Sequence, residues 1–172
     1  MFIDQSPHWL WFQFIEEAKQ QLSITLPDEV EVYMMHVLTD MVTANTFAEQ
    51  ALVTEYAAIK QHGLHVQALL LPQLANEALL LAGLYPEQSF RRAVDPTYFQ
   101  YMGVRMYSEV SALYVRRDTH QSQLYDDLAT HFSHLIQMLF YMRCMQQGVP
   151  VAVMHQLSGH CCHAYDAVYD QL

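Results

Sequence analysis

Glycine and proline are scarce in this chain, at 5 and 6 of 172 residues, too few breakers for a protein of many short strands. Cysteine is scarce as well, and its count of 3 is odd, with Cys161 and Cys162 adjacent. That does not match the spaced, even set of a secreted disulfide framework, so a reducing cytoplasmic setting is expected. Basic residues are few: 8 Lys and Arg stand against 18 Asp and Glu, for a formal charge of -10. Such a field repels phosphate backbones and anionic lipid surfaces, which argues against nucleic acid and membrane as partners. No uninterrupted apolar run reaches the roughly 18 residues of a membrane span. The start, MFIDQSPHWLWFQFIEE, lacks the basic n-region of a secretory signal.

Apolar and aromatic residues are plentiful: 52% of the chain is hydrophobic, including 10 Met, 11 Tyr and 8 Phe. A single domain over residues 1–172 can bury roughly 70% of the surface that its unfolded chain would expose. The periodicities predict an all-α bundle of about six or seven mostly antiparallel helices. Ser6-Pro7 supplies a cap and a first-turn proline for a helix to about Leu22, apolar nearly all the way round. Pro27-Asp28 opens a second, with Val30, Met34, Val37 and Met41 in one stripe. Thr46 and Glu49 have capping-box spacing for a third helix ending near Gly63.

A leucine-rich fourth helix, 64–84, contains Pro72, which either starts its regular part or kinks it. Asp95-Pro96 opens a fifth, to about Arg117, where Phe99, Gly103, Met106, Val110 and Leu113 line one stripe and Gly103 permits a neighbour to come close. A sixth, 122–146, aligns Leu124, Leu128, Phe132, Leu135, Leu139 and Met142; Gly148 and Pro150 then start a last helix folding back on it.

The stretch SGHCCHAYD, 158–166, invites a metal reading, yet successive helical side chains point about 100° apart and four in a row cannot close on one ion. Helical spacing sends Cys161 and Cys162 to the core and His160, His163, Asp166 and Asp170 to the outer ridge. A second ridge, Asp127, His131 and His134, lies on the helix expected alongside. If the two ridges met, His131, His134, His160 and His163 would form a candidate metal site. The Glu-x-x-His signature of di-iron bundles is absent, and no cofactor is expected. His36 is expected in the core or at its boundary. No G-x-S-x-G elbow, G-x-G-x-x-G or P-loop occurs, and Cys144 has only Arg143 as an activating neighbour.

The most distinctive segment is AGLYPEQSFRRAVDPTYFQYMGVRMY, 82–107. It resembles an uncharacterised family of helical bacterial proteins in which an apolar helix ends in a Gly-aromatic-aromatic-Pro-Glu turn. In that family an Arg-Arg-x-Val stretch follows, and then a Tyr-aromatic-x-x-Met-Gly-x-x-x-Tyr helix. Here the pattern falls on Gly83 to Glu87, with Leu84 in place of the first aromatic, and on Arg91, Arg92, Val94, Tyr98, Phe99, Met102, Gly103 and Tyr107. Weaker likeness extends to LYDDLATHFSHLIQML, and the chain departs from the pattern at Ala75-Asn76, where the family carries Gly-Asp. The resemblance implies a fold type and no activity.

Two further readings concern ligands. Arg91 and Arg92, beside a capped helix N-terminus, have the donors to bind an anion; together with Arg105, Arg116 and Arg117 they leave 91–117 positive, and nucleotide or anion sensing is one reading of that patch. Pairing with Glu87, Asp95 and other acids is favoured over it. A small-ligand or metal-dependent enzyme would draw on His36, Glu77, Arg91, Arg92, Tyr98, His131 and His134. The leading expectation is a non-catalytic interaction module, a homodimer or partner-binding protein, whose interface is built from Trp9, Trp11, Phe12 and Phe14.

Overall fold

The computed structural model describes residues 7–44, 51–86 and 94–146, and among these the chain is all-α, with seven helices and no strand. They are α1 (Pro7–Leu22), α2 (Asp28–Ala44), α3 (Leu52–Lys60), α4 (Leu64–Gly83), α5 (Pro96–Tyr114), α6 (Thr119–Thr130) and α7 (Phe132–Gln146). Helix α4 is the centre, packing most extensively against α5 and also against α7 and α3; α5 in turn packs along α6, and α1 lies against α2 and α7. By length and composition α4 is apolar enough to cross a membrane, but most of it is buried inside the bundle. Leu71, Leu74, Ala75, Ala78, Leu79 and Leu81 form its buried part.

The helix ends follow local chemistry. At the end of α1, Ser23 takes a left-handed φ of 53°; its N–H donates to the Gln20 carbonyl at 3.4 Å, and the Ile24 N–H donates to Lys19 at 3.0 Å. This is a Schellman ending with serine where glycine fits at lower cost. Helix α2 starts with Asp28, Glu29 and Glu31, which complement the positive end of the helix dipole, and Lys19 of α1 bridges Glu16 and Glu31. Gly63 is extended (φ -63°, ψ 157°) and is the N-cap of α4 rather than a left-handed stop for α3. Gln67 closes the α3 end instead, donating to the His62 carbonyl at 2.7 Å. Pro72 sits inside a continuous α4. Asp95 caps α5 as its sequence foretells, accepting from the Thr97 N–H at 2.8 Å.

Beyond α5 the structure corrects the expected boundaries. Helix α6 begins at Thr119, capped by Asp118, which accepts from the His120 and Gln121 N–H groups at 3.0 and 3.1 Å. Ser111 and Ser122 clasp α5 to α6 reciprocally, each hydroxyl donating to the other's carbonyl, at 2.8 and 3.1 Å. The expected helix over 122–146 is broken at His131 into α6 and α7. No proline or glycine marks this break; directly after it, the Phe132 ring enters the notch above Gly103, where a Cβ would lie 2.1 Å from the ring tip. A second notch, Gly83 against Leu139, brings α4 and α7 together.

Candidate functional site

Among the described residues, a part-buried polar cluster centres on Asn76 of α4. Tyr33 of α2 and Tyr107 of α5 both donate their hydroxyls to Asn76 Oδ1, at 2.9 and 2.6 Å. Tyr125 of α6 lies edge-on to Tyr33 and tilted against Tyr107, with ring centroids 6.1 Å from each, and Tyr114 stacks on it. Three helices thus meet on one amide oxygen, which uses both of its lone pairs, and α6 joins them through the Tyr125 ring.

Burial pushes the phenols of Tyr33, Tyr107 and Tyr125 above the usual tyrosine value, and the charge of Asp40 adds to the effect at Tyr33. At neutral pH these groups are hydrogen-bond donors and not bases. A pH dependence follows. Below about pH 10 folded and unfolded chains hold the phenolic protons alike; above it the unfolded chain loses them first, so stability falls as pH rises. Thermal melts between about pH 9 and pH 11 should show this fall, and Tyr107→Phe should make it shallower.

The residues read as ligand-binding do not converge in the described structure. Glu77 follows Asn76 and is half-buried. Tyr98 is on α5, where its hydroxyl accepts the Val53 N–H at 3.1 Å and so anchors the start of α3. Arg91 and Arg92 lie outside the described residues, as do His160, His163, both adjacent cysteines, the Thr46–Glu49 capping box and the helix expected after Pro150.

Arg105, part of the basic stretch, donates to Glu109 Oε1 at 3.1 Å and lies over the Tyr56 ring, its Cζ 5.0 Å from the centroid. Glu109 also accepts from Tyr56 at 2.5 Å and from Lys60 at 3.0 Å. Burial opposes the Glu109 charge, but these three donors outweigh it and hold the carboxyl below its usual range. Arg116 and Arg117 are exposed.

Two pairs of histidines meet among the described residues. His36, expected at the core or its boundary, is exposed on α2 and meets His8 of α1 edge-on, with centroids 5.5 Å apart. His131, half-buried at the α6–α7 break, faces the exposed His134; their Nδ1 atoms are 3.5 Å apart. Among the described residues no group of three or more His, Cys, Asp or Glu is placed to hold a metal ion. Cys144 is buried, and burial pushes its thiol up despite Arg143, the opposite of what an activated nucleophile needs. Arg143 reaches across to α4, donating to the Leu84 carbonyl at 2.6 Å just past the end of that helix.

The face read as an interface is on α1. Ile15 and Ala18 point into the core at 1% and 0% exposure, with Trp11 and Phe14 half-buried beside them. At 100° per residue Trp9 falls opposite this buried stripe, with Phe12 and Leu10 on its two flanks, and the three are 43%, 45% and 43% exposed. Phe12 and Phe14, with Gln13, Glu16, Glu17 and Gln20, line a shallow open hollow along the helix.

The residues that sequence reasoning missed are Asn76 and the tyrosines around it. The available signal was an amide at a core position of a leucine-rich helix, in a chain rich in tyrosine. Compared with family models, curated proteins and solved structures, the chain matches none.

Proposed function

We propose that this chain is a non-catalytic association module that pairs with a second copy of itself through the outer face of α1. The observation that carries the reading is the exposure of Trp9, opposite the buried stripe of α1, and of Phe12 and Leu10 on the flanks beside it. An apolar patch of large side chains is costly in water and marks an interaction surface. A second copy fits this face by charge. Two chains of -10 repel over most of their surfaces, whereas residues 7–15, PHWLWFQFI, hold no carboxylate, ammonium or guanidinium. A two-fold pairing needs only this one self-complementary patch.

Other readings draw less support. A sensor of anions built on residues 91–117 would start with Arg105 already engaged by Glu109. A small-ligand site at the Asn76 cluster would start with the amide oxygen already accepting two phenols.

The test is sedimentation of the wild type and of a Trp9→Glu/Phe12→Glu variant. Both side chains are exposed, so the variant should keep the wild-type melting temperature to within a few degrees at low concentration. The wild type should sediment as a dimer whose Trp9 and Trp11 emission shifts to the blue as the dimer forms, and the variant as a monomer. A wild type that stays monomeric at high concentration, with unchanged tryptophan emission, would sink the reading.

A further inference from the structure

We infer that His131 and His134 form a half-site for a tetrahedrally coordinated divalent transition metal of the zinc class. The two ring nitrogens that face each other are both Nδ1, 3.5 Å apart, on rings whose centroids are 5.7 Å apart at 35°. Zinc holds imidazole nitrogens at about 2.0–2.1 Å, so two of them at the tetrahedral angle are about 3.3–3.4 Å apart, against about 2.9 Å for neighbouring positions of a square or octahedral site. The observed spacing is within a few tenths of an ångström of the tetrahedral value and well beyond the other.

The backbone holds the pair in place. The His131 N–H donates to the Asp127 carbonyl at 2.9 Å, and its own carbonyl accepts from Leu135 at 3.0 Å. His134 stands on the first turn of α7, whose next two residues, Leu135 and Ile136, are buried. The break between α6 and α7, which the periodicity of the sequence does not require, falls on His131 itself.

Without metal, one Nδ1–H donates to the other Nδ1. With metal, both lone pairs turn to the ion and each ring carries its proton on Nε2. The surrounding charge of -10 favours a cation. With two protein ligands the ion keeps two positions for water or an added ligand, which makes the site an exchangeable one, distinct from a closed structural zinc centre.

The experiment is calorimetric titration of the full, untagged chain with zinc chloride at neutral pH, beside His131→Gln and His134→Gln. The wild type should bind zinc at a site that each variant loses or weakens by about tenfold or more, since one imidazole alone holds the ion poorly. In the NMR spectrum the ring Cε1–H signals of His131 and His134 should move together at that stoichiometry. His134 is exposed, so its variant folds as the wild type does and keeps the test valid even if His131→Gln disturbs the break. Zinc binding left unchanged by His134→Gln, ring signals of His131 and His134 that do not move, or no zinc binding at all would each overturn the inference.

Discussion

Replacing Gly103 with alanine is expected to destabilise the protein by about 2–3 kcal/mol, although alanine is the better helix former by about 1 kcal/mol. The added Cβ would lie 2.1 Å from Phe132 Cζ and 2.5 Å from Cε2. Phe132 cannot yield: it is 0% exposed and packs edge-on against Tyr107 with centroids 5.8 Å apart. Relief requires α7 to move away from α5, and that movement also loosens the Gly83–Leu139 contact on α4. Urea melts should show a lower midpoint with an unchanged slope. Gly63→Ala is the control, since nothing lies within 4 Å of its added carbon; alanine is the poorer N-cap but fits this extended backbone and loses less chain entropy, and these effects offset to within about 0.5 kcal/mol. Adding Phe132→Leu to Gly103→Ala should recover part of the loss. Equal effects at the two glycines would mean that the notch does not position α7.

The contrast between these glycines shows what the sequence carries. Gly103 lies in the stripe with Phe99, Met106 and Val110, all buried, and spacing alone predicts both the stripe and a close neighbour. The identity of that neighbour depends on a contact with Phe132, distant along the chain, and this is also why the break at His131 is not legible. Leu128, Phe132, Leu135, Leu139 and Met142 keep one apolar stripe through the break, so periodicity reads a single helix. Starts are legible where a side chain acts within its own turn, as at Asp95-Pro96. The Asp118 cap obeys the same rule but precedes a polar stretch, THQSQ, in which no stripe begins.

The same division applies to the sites. The far side of α1 can be read from α1 alone, because an all-round apolar helix must present Trp9 and Phe12 somewhere. What Tyr98 does cannot be read that way, because its partner is the backbone of Val53 on another helix. Asn76 is the extreme case: it gains its role from phenols on α2 and α5, which only the tertiary fold brings to it.

That role makes Asn76 the position where a change of nearly constant size should cost most. Asn76→Leu is expected to destabilise by about 2–4 kcal/mol, because it strands two hydroxyls and each unsatisfied buried group costs about 1–3 kcal/mol. The larger share belongs to Tyr107, which is 0% exposed and has no access to water; half-buried Tyr33 can be solvated in part. Tyr107→Phe alone removes a donor and leaves the amide oxygen with Tyr33, so it should cost only about 0.5–1.5 kcal/mol. Combining Asn76→Leu with Tyr107→Phe removes both ends of the 2.6 Å bond, and the double variant should be more stable than the sum of the singles implies, by about 1 kcal/mol or more. Chemical denaturation of the four proteins measures this coupling directly. Strict additivity, or an Asn76→Leu cost within the 0.5 kcal/mol typical of surface changes, would show that the tyrosines do not depend on the amide and that the four helices are held by apolar packing alone.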